Sequence, residues 1–122
     1  MTMKLAKQND GSPANRSSCP IACTLDLIGD KWSLLIIRDI HLAGKSRYEE
    51  FLASPEKIST NILANRLKKL EEHGLITKTQ YGGHSLRMKY QLTKRGKSLG
   101  KILKGMIEWG QQNIPDADPE EF

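Results

Sequence analysis

The hydrophobic pattern of this chain changes period at a glycine. Upstream of Gly74, Leu63, Leu67 and Leu70 recur at i, i+4 and i+7, the stripe of an amphipathic helix. Downstream, Met88, Tyr90 and Leu92 alternate with Arg87, Lys89 and Gln91, the period of a half-buried strand. Residues 75–81 read as a preceding strand, and Gly82-Gly83 supplies the positive-φ pair that a tight hairpin turn requires. The helix itself is predicted from Ser59, a good N-cap, to His73, with Gly74 suited to the left-handed residue that closes a helix.

Three more helices are expected upstream. Pro20 suits a first helical turn, and Ile21, Leu25 and Ile28 fall on one face before Gly29. Asp30 is positioned to cap a second helix, 31–42, in which Trp32, Leu34, Leu35, Ile36, Ile37, Ile40 and Leu42 occupy most of the circumference. A helix apolar nearly all round belongs at the centre of a fold. Ser46 is expected to cap a short third helix, with Glu49 at the capping-box position, until Ser54-Pro55 breaks it. After the hairpin, Thr93 is expected to cap one final helix to about residue 113, whose wide apolar face (Leu99, Ile102, Leu103, Met106, Ile107, Trp109) suits docking on a second subunit. The order is that of a winged helix-turn-helix: mainly α, with a small β-hairpin wing, and dimeric.

Charge narrows the function. The 122-residue chain carries a net +5, unevenly spread. Residues 1–18 balance at +2, 116–122 at −4 and the middle at +7. Eleven Lys or Arg against two acids lie between Arg66 and Lys104, a stretch that draws a polyanion unless it is only a solvated face. Residues 1–18, polar with a late Gly-Ser-Pro cluster, read as a flexible arm, 19–114 as the folded DNA-binding and dimerisation domain, and 115–122 as an acidic tail. No apolar run is long enough for a membrane span, and the start lacks the apolar core of a secretory signal, so the expected compartment is the cytoplasm. No phosphate loop, zincin motif or nucleophile elbow is present, which argues against an enzyme, and no cofactor is expected. Cys19 and Cys23 with the scattered His41, His73 and His84 complete no zinc pattern, so no metal is expected.

These residues resemble the HxlR family of bacterial regulators, relatives of the MarR-type winged-helix group. The resemblance runs through Cys19-Pro20, Ile28-Gly29-Asp30-Lys31-Trp32, Arg47-Tyr48-Glu49-Glu50-Phe51, Leu63-Ala64-Asn65-Arg66-Leu67 and Tyr90-Gln91-Leu92-Thr93-Lys94-Arg95-Gly96, with Trp109 near the end. It covers residues 19 to about 110. Position 48 is Tyr where the family more often has Phe, and His84-Ser85 stand in the wing where a Pro is common. The resemblance implies a homodimeric regulator that binds double-stranded DNA.

With the leucine stripe inward, Asn61, Ala64, Asn65 and Lys68 face outward, and Ser59 and Thr60 stand at the N-terminus that meets base edges in the major groove. Asn pairs bidentately with adenine, and Ala contacts a thymine methyl. The alternative is that Ser59 only caps and the asparagines are only solvated. Phosphate contacts are expected from Lys31, Lys45, Ser46, Arg47 and the wing residues His84, Ser85, Arg87 and Lys89, with N–H groups at the start of the third helix assisting Arg47. Arg66 is placed to pair with an acid instead. Trp32 and Tyr90 read as core. Dimerisation is expected from the first and last helices, matching a palindromic operator. Repression is the simpler expectation, since no separate activation domain is present. Cys19, beside Pro20 at a helix start, has the setting that lowers a thiol pKa. The resemblance implies oxidant or electrophile sensing there, against an inert cysteine, with Cys23 as packing. Any small effector is left open. The competing function is a winged helix that binds protein, whose mark would be an apolar outward face on the fourth helix.

Overall fold

The computed structural model describes residues 16–118. The elements run α1 (Pro20–Ile28), α2 (Ser33–His41), α3 (Tyr48–Leu52), α4 (Thr60–Glu72), β1 (Ile76–Tyr81), β2 (His84–Leu92), α5 (Lys94–Lys97) and α6 (Gly100–Asn113). This is a mainly helical winged helix-turn-helix: α3 and α4 form the helix-turn-helix, and β1 and β2 the antiparallel wing. Most of the expected arm, 1–15, and residues 119–122 of the expected tail lie outside the described residues. Arg16 and Ser17, assigned to the arm, are tied to α1: Arg16 pairs with Asp26 at 2.8 Å, and Ser17 Oγ accepts the Cys19 N–H.

The core joins Ile36 and Ile37 of α2, Phe51 of α3, Leu63, Leu67 and Leu70 of α4, Leu75 and Ile76 at the entry to β1, and Leu99 and Leu103 from the C-terminal helices. The predicted inward stripe of α4 is therefore the buried one. Trp32 and Tyr90 pack against this core, and the Tyr90 ring meets Phe51 edge-on at 6.1 Å.

Local chemistry sets the element ends. At the end of α4 the Gly74 N–H donates to Glu71 O and the Leu75 N–H to Leu70 O, a Schellman closure in which Gly74 takes φ +72° and Leu75 turns into the core. Gly82 and Gly83 take φ +65° and +66°, the two positive values a type I′ hairpin needs. The wing gains a third edge from the turn before α3. The Tyr90 N–H donates to Ser46 O at 2.7 Å, and Arg47 bridges Lys89 across the antiparallel ladder.

Three expectations need correction. The second helix begins at Ser33 rather than Lys31: the Asp30 carboxylate accepts the N–H groups of Trp32 and Ser33, both at 3.0 Å, so a capped turn precedes the helix. The third helix is capped one residue later than expected. Glu50, not Glu49, reaches back, its Oε1 accepting the N–H groups of Ser46 and Arg47 at 2.9 Å. The final helix is two. Thr93 caps α5 by accepting the Gly96 N–H, but Ser98 turns its hydroxyl onto the Arg95 carbonyl, and the chain tightens before α6 starts at Gly100.

Candidate nucleic-acid interface

The recognition surface is built on α4. Ser59 is its N-cap and accepts the Ile62 N–H at 3.2 Å. Ser59, Thr60, Asn61, Ala64, Asn65 and Lys68 are all exposed, while Leu63, Leu67 and Leu70 on the opposite side are buried. The six residues assigned to the groove thus share one side of one helix.

Two polar ties fix that helix from behind. The Tyr48 hydroxyl donates to Thr60 O at 2.8 Å, fastening α3 to the first turn of α4. Arg66 Nε donates to Asp30 Oδ2 at 2.8 Å, fastening the middle of α4 to the start of α2. Burial alone would raise the Asp30 pKa. The Ser33 hydroxyl, the Trp32 N–H, the Arg66 guanidinium and the Ser33 N–H outweigh it and hold the carboxyl at about 2. Arg66 also donates through Nη1 to Asn65 Oδ1, which orients the carboxamide while leaving its NH2 and a second oxygen lone pair for a base edge. Arg66 is therefore a positioning residue, as the pairing with an acid implied.

The basic residues fall into distinct settings. Arg47 is exposed, and its guanidinium lies against the Tyr81 hydroxyl and near Glu50 (3.7 Å) and Glu49 (3.9 Å), which together hold its pKa above the ordinary value. Lys89 stacks its ammonium over the Tyr81 ring at 5.5 Å. Tyr81 thus gathers Arg47 and Lys89 between the helix-turn-helix and the wing. Sequence reasoning missed this role, although an aromatic residue next to the Gly-Gly turn and opposite a basic strand was the available signal. Arg87 is exposed on β2. Lys31 is exposed, 5.4 Å above the Trp32 ring. His84 and Ser85 begin β2 at the wing turn. Ser46 is half-buried, with its backbone joined to Tyr90 and Glu50. Lys45 stands apart: half-buried, it donates to Ser54 Oγ at 2.7 Å, and Ser54 in turn donates to the buried Asp39. The N–H groups of Ser46 and Arg47 are taken up by Glu50.

Cys19 is exposed at the N-cap of α1, its pKa lowered by the N–H groups of Ala22 and Ile21, while Cys23 is half-buried and directs its thiol to the Ser17 carbonyl. Among the described residues, no group of three or more His, Cys, Asp or Glu is arranged to hold a metal ion, and no helix is long and apolar enough to cross a membrane.

A pinned helix with a polar outward side and a basic hairpin beside it define a DNA-binding winged helix-turn-helix. The model of the HxlR-like helix-turn-helix family matches residues 27–118, and the chain belongs to that family. It is a transcriptional regulator of the helix-turn-helix type. It is similar to the uncharacterised HTH-type transcriptional regulator YybR of Bacillus subtilis (strain 168), at 33% identity over 99 residues, 81% of this chain and 78% of the relative. Among solved structures it is similar to the redox regulator HypR in its oxidised form (34% identity, TM-score 0.69, 78% of this chain and 97% of that one). It is also similar to the reduced transcriptional regulator YodB of B. subtilis (29% identity, TM-score 0.65, 82% and 98%).

Proposed function

We propose that the protein is a homodimeric repressor that binds a palindromic operator, reading bases with Ser59, Thr60, Asn61, Ala64, Asn65 and Lys68. The observation that carries this reading is the outward side of α4: polar, exposed and held from behind by Tyr48 and by the Asp30–Arg66 pair. A protein-docking winged helix would present an apolar side there. Lys31, Arg47, Arg87 and Lys89 take phosphates, with His84 and Ser85 at the wing. Lys45 gives one N–H to Ser54 and keeps two, so it stays among the phosphate candidates. Residues 19–114 act as the DNA-binding and dimerisation unit, flanked by the 1–18 arm and the acidic 115–122 tail. The apolar side chains that α1 and α6 leave exposed, Ile21, Leu25, Met106 and Trp109, support pairing through those helices.

The test is fluorescence anisotropy on DNA upstream of the chain's own gene, with competitor DNA. Salt-sensitive binding to a palindrome, weakened at least about tenfold in the Asn61→Ala, Asn65→Ala double variant, is expected, since each base contact is worth roughly 1–3 kcal/mol. Binding no tighter than to random DNA, and indifferent to that double change, would sink the reading.

Cys19 extends the proposal. Its exposure and lowered pKa favour the reactive thiolate, and HypR is a redox regulator solved in both oxidised and reduced forms. A peroxide takes two electrons from the Cys19 thiolate, giving a sulfenic acid and hydroxide. The partner protomer's Cys19 thiol then attacks that sulfur, forming the disulfide and releasing water. Operator affinity is expected to change on oxidation in the wild type and not in Cys19→Ser. Equal affinities in reduced, oxidised and Cys19→Ser protein would remove the sensor.

A further inference from the structure

The end of α2, the turn after it, the C-terminal part of β2 and α5 line a shallow cleft of about 490 Å³ that is broadly open to solvent. That volume lies within the range of small-ligand sites, roughly 300–1,000 Å³. Its walls divide by chemistry. Ile40, Tyr90 and Leu92, all half-buried, supply the apolar part, and His41, Lys45 and Lys97 the basic part. Among the described residues, no acidic side chain lines it. Lys45 is anchored by its bond to Ser54 Oγ, so its charge is held in place before any ligand arrives. Lys97 is exposed and also lines the cleft. A wall of this composition selects against cations and gives little to a neutral apolar molecule that a plain hydrophobic groove would not.

We propose that this cleft binds a small amphipathic carboxylate, with the carboxylate toward Lys97, Lys45 and His41 and an aromatic or branched body against Ile40 and Leu92. The site is separate from both Cys19 and the outward side of α4. It nevertheless touches the joint that sets the wing against the helix-turn-helix, because Ser46 lines the cleft and its carbonyl accepts the Tyr90 N–H. The next residue, Arg47, bridges Lys89. A ligand wedged between the 45–46 turn and β2 acts on that joint, so its binding and DNA binding are linked reciprocally. This effector role rests on the DNA-binding reading above; occupancy of the cleft does not.

The experiment is a titration of the 15N-labelled full chain, without DNA, followed by amide shifts. The probes are benzoate and isovalerate, each to about 10 mM, because ligands of this size bind with dissociation constants on the order of 1 mM. Benzamide and acetate serve as the uncharged and body-less comparisons. Saturable shifts at Ile40, His41, Gln91 and Leu92 are expected with at least one of the two larger carboxylates. About fivefold or greater weakening is expected for both comparison compounds and for Lys97→Gln, whose own spectrum reports that the fold is intact. No saturable shift with either carboxylate, equal binding of benzamide, or an unaffected Lys97→Gln would overturn the proposal. Operator anisotropy with and without saturating carboxylate is the second arm, where a change of about fivefold or more is expected. Unchanged DNA affinity at saturation would overturn the effector role alone. Cleft binding in a chain that fails to bind the operator would overturn the operator reading and leave the cleft standing.

Discussion

At Asp30 one carboxylate accepts from two backbone N–H groups, the Ser33 hydroxyl and the Arg66 guanidinium, and so couples the start of α2 to the reading helix. Its folded pKa, about 2, lies below the unfolded value near 3.8. The unfolded chain therefore binds more protons in acid, and the stabilisation is fully present above about pH 4 and lost as pH falls toward 2. Because the pair is partly solvated, about 1–2 kcal/mol is the size to expect. Asp30→Asn should be less stable than wild type by that amount in urea at neutral pH, and the gap should close as the pH is lowered. A gap independent of pH would mean that the ionised form is not what the site recognises. Gly96 makes a different demand. It is buried where a Cβ would lie 2.1 Å from the Leu75 carbonyl oxygen, a backbone atom that cannot swing away. Gly96→Ala should lose roughly 1–3 kcal/mol or more through displacement of α5 from the wing, read as a lowered thermal midpoint. Unchanged stability would show that the joint yields freely.

Among the elements, α4 separates local from non-local information. Its stripe, its Ser59 cap and its Gly74 closure are all written within a few residues of where they act, so periodicity and capping chemistry foretold the helix and its exposed side. The Gly-Gly turn was legible for the same reason, since two glycines take two positive φ angles without a Cβ penalty. What could not be read was pairing over distance. Arg66 meets Asp30 across 36 positions, Tyr81 collects Arg47 from a different element, and Lys45 gives one of its N–H groups to Ser54. The shift of the α3 capping-box partner from Glu49 to Glu50 and the break at Ser98 are choices among neighbouring local hydrogen bonds, which hydrophobic periodicity does not distinguish. The double duty of Ser59, cap and candidate base contact, can be separated experimentally. Ser59→Ala should cost about 1 kcal/mol of stability, and Ser59→Gly only a few tenths, because Gly tolerates the cap geometry. If the hydroxyl also touches DNA, both variants should lose operator affinity alike while differing in urea midpoint. If affinity follows stability instead, Ser59 is a cap alone.

For the molecule as a whole, the arrangement of apolar surface sets how the parts work together. Ile21 and Trp109 are 71% and 62% exposed, and with the exposed Leu25 and Met106 they give α1 and α6 apolar surface suited to a partner. In the proposed dimer, covering both with the same surfaces of a second copy would satisfy them by two-fold symmetry and deliver two α4 helices to one duplex. Affinity then depends on dimerisation through effective concentration: once one half is seated, the second binds as if present at millimolar level, and the complex exceeds either half-site by roughly 10²–10⁴. Ile21→Asp and Trp109→Asp each place a charge where that contact would form while leaving the buried core residues untouched. Both should sediment as monomers at concentrations where the wild type is a dimer, keep the wild-type circular dichroism spectrum, and bind a palindrome no more tightly than a half-site. The salt dependence should fall with them. Each lost phosphate contact removes about 0.9 from the slope of log K against log salt, so halving the number of docked protomers halves the slope. Arg47→Ala in the dimer should remove only about 2, one contact per protomer. A variant that stays dimeric and keeps the full slope would place the subunit contact on another face, and the exposed residues of α1 and α6 would then need a different partner.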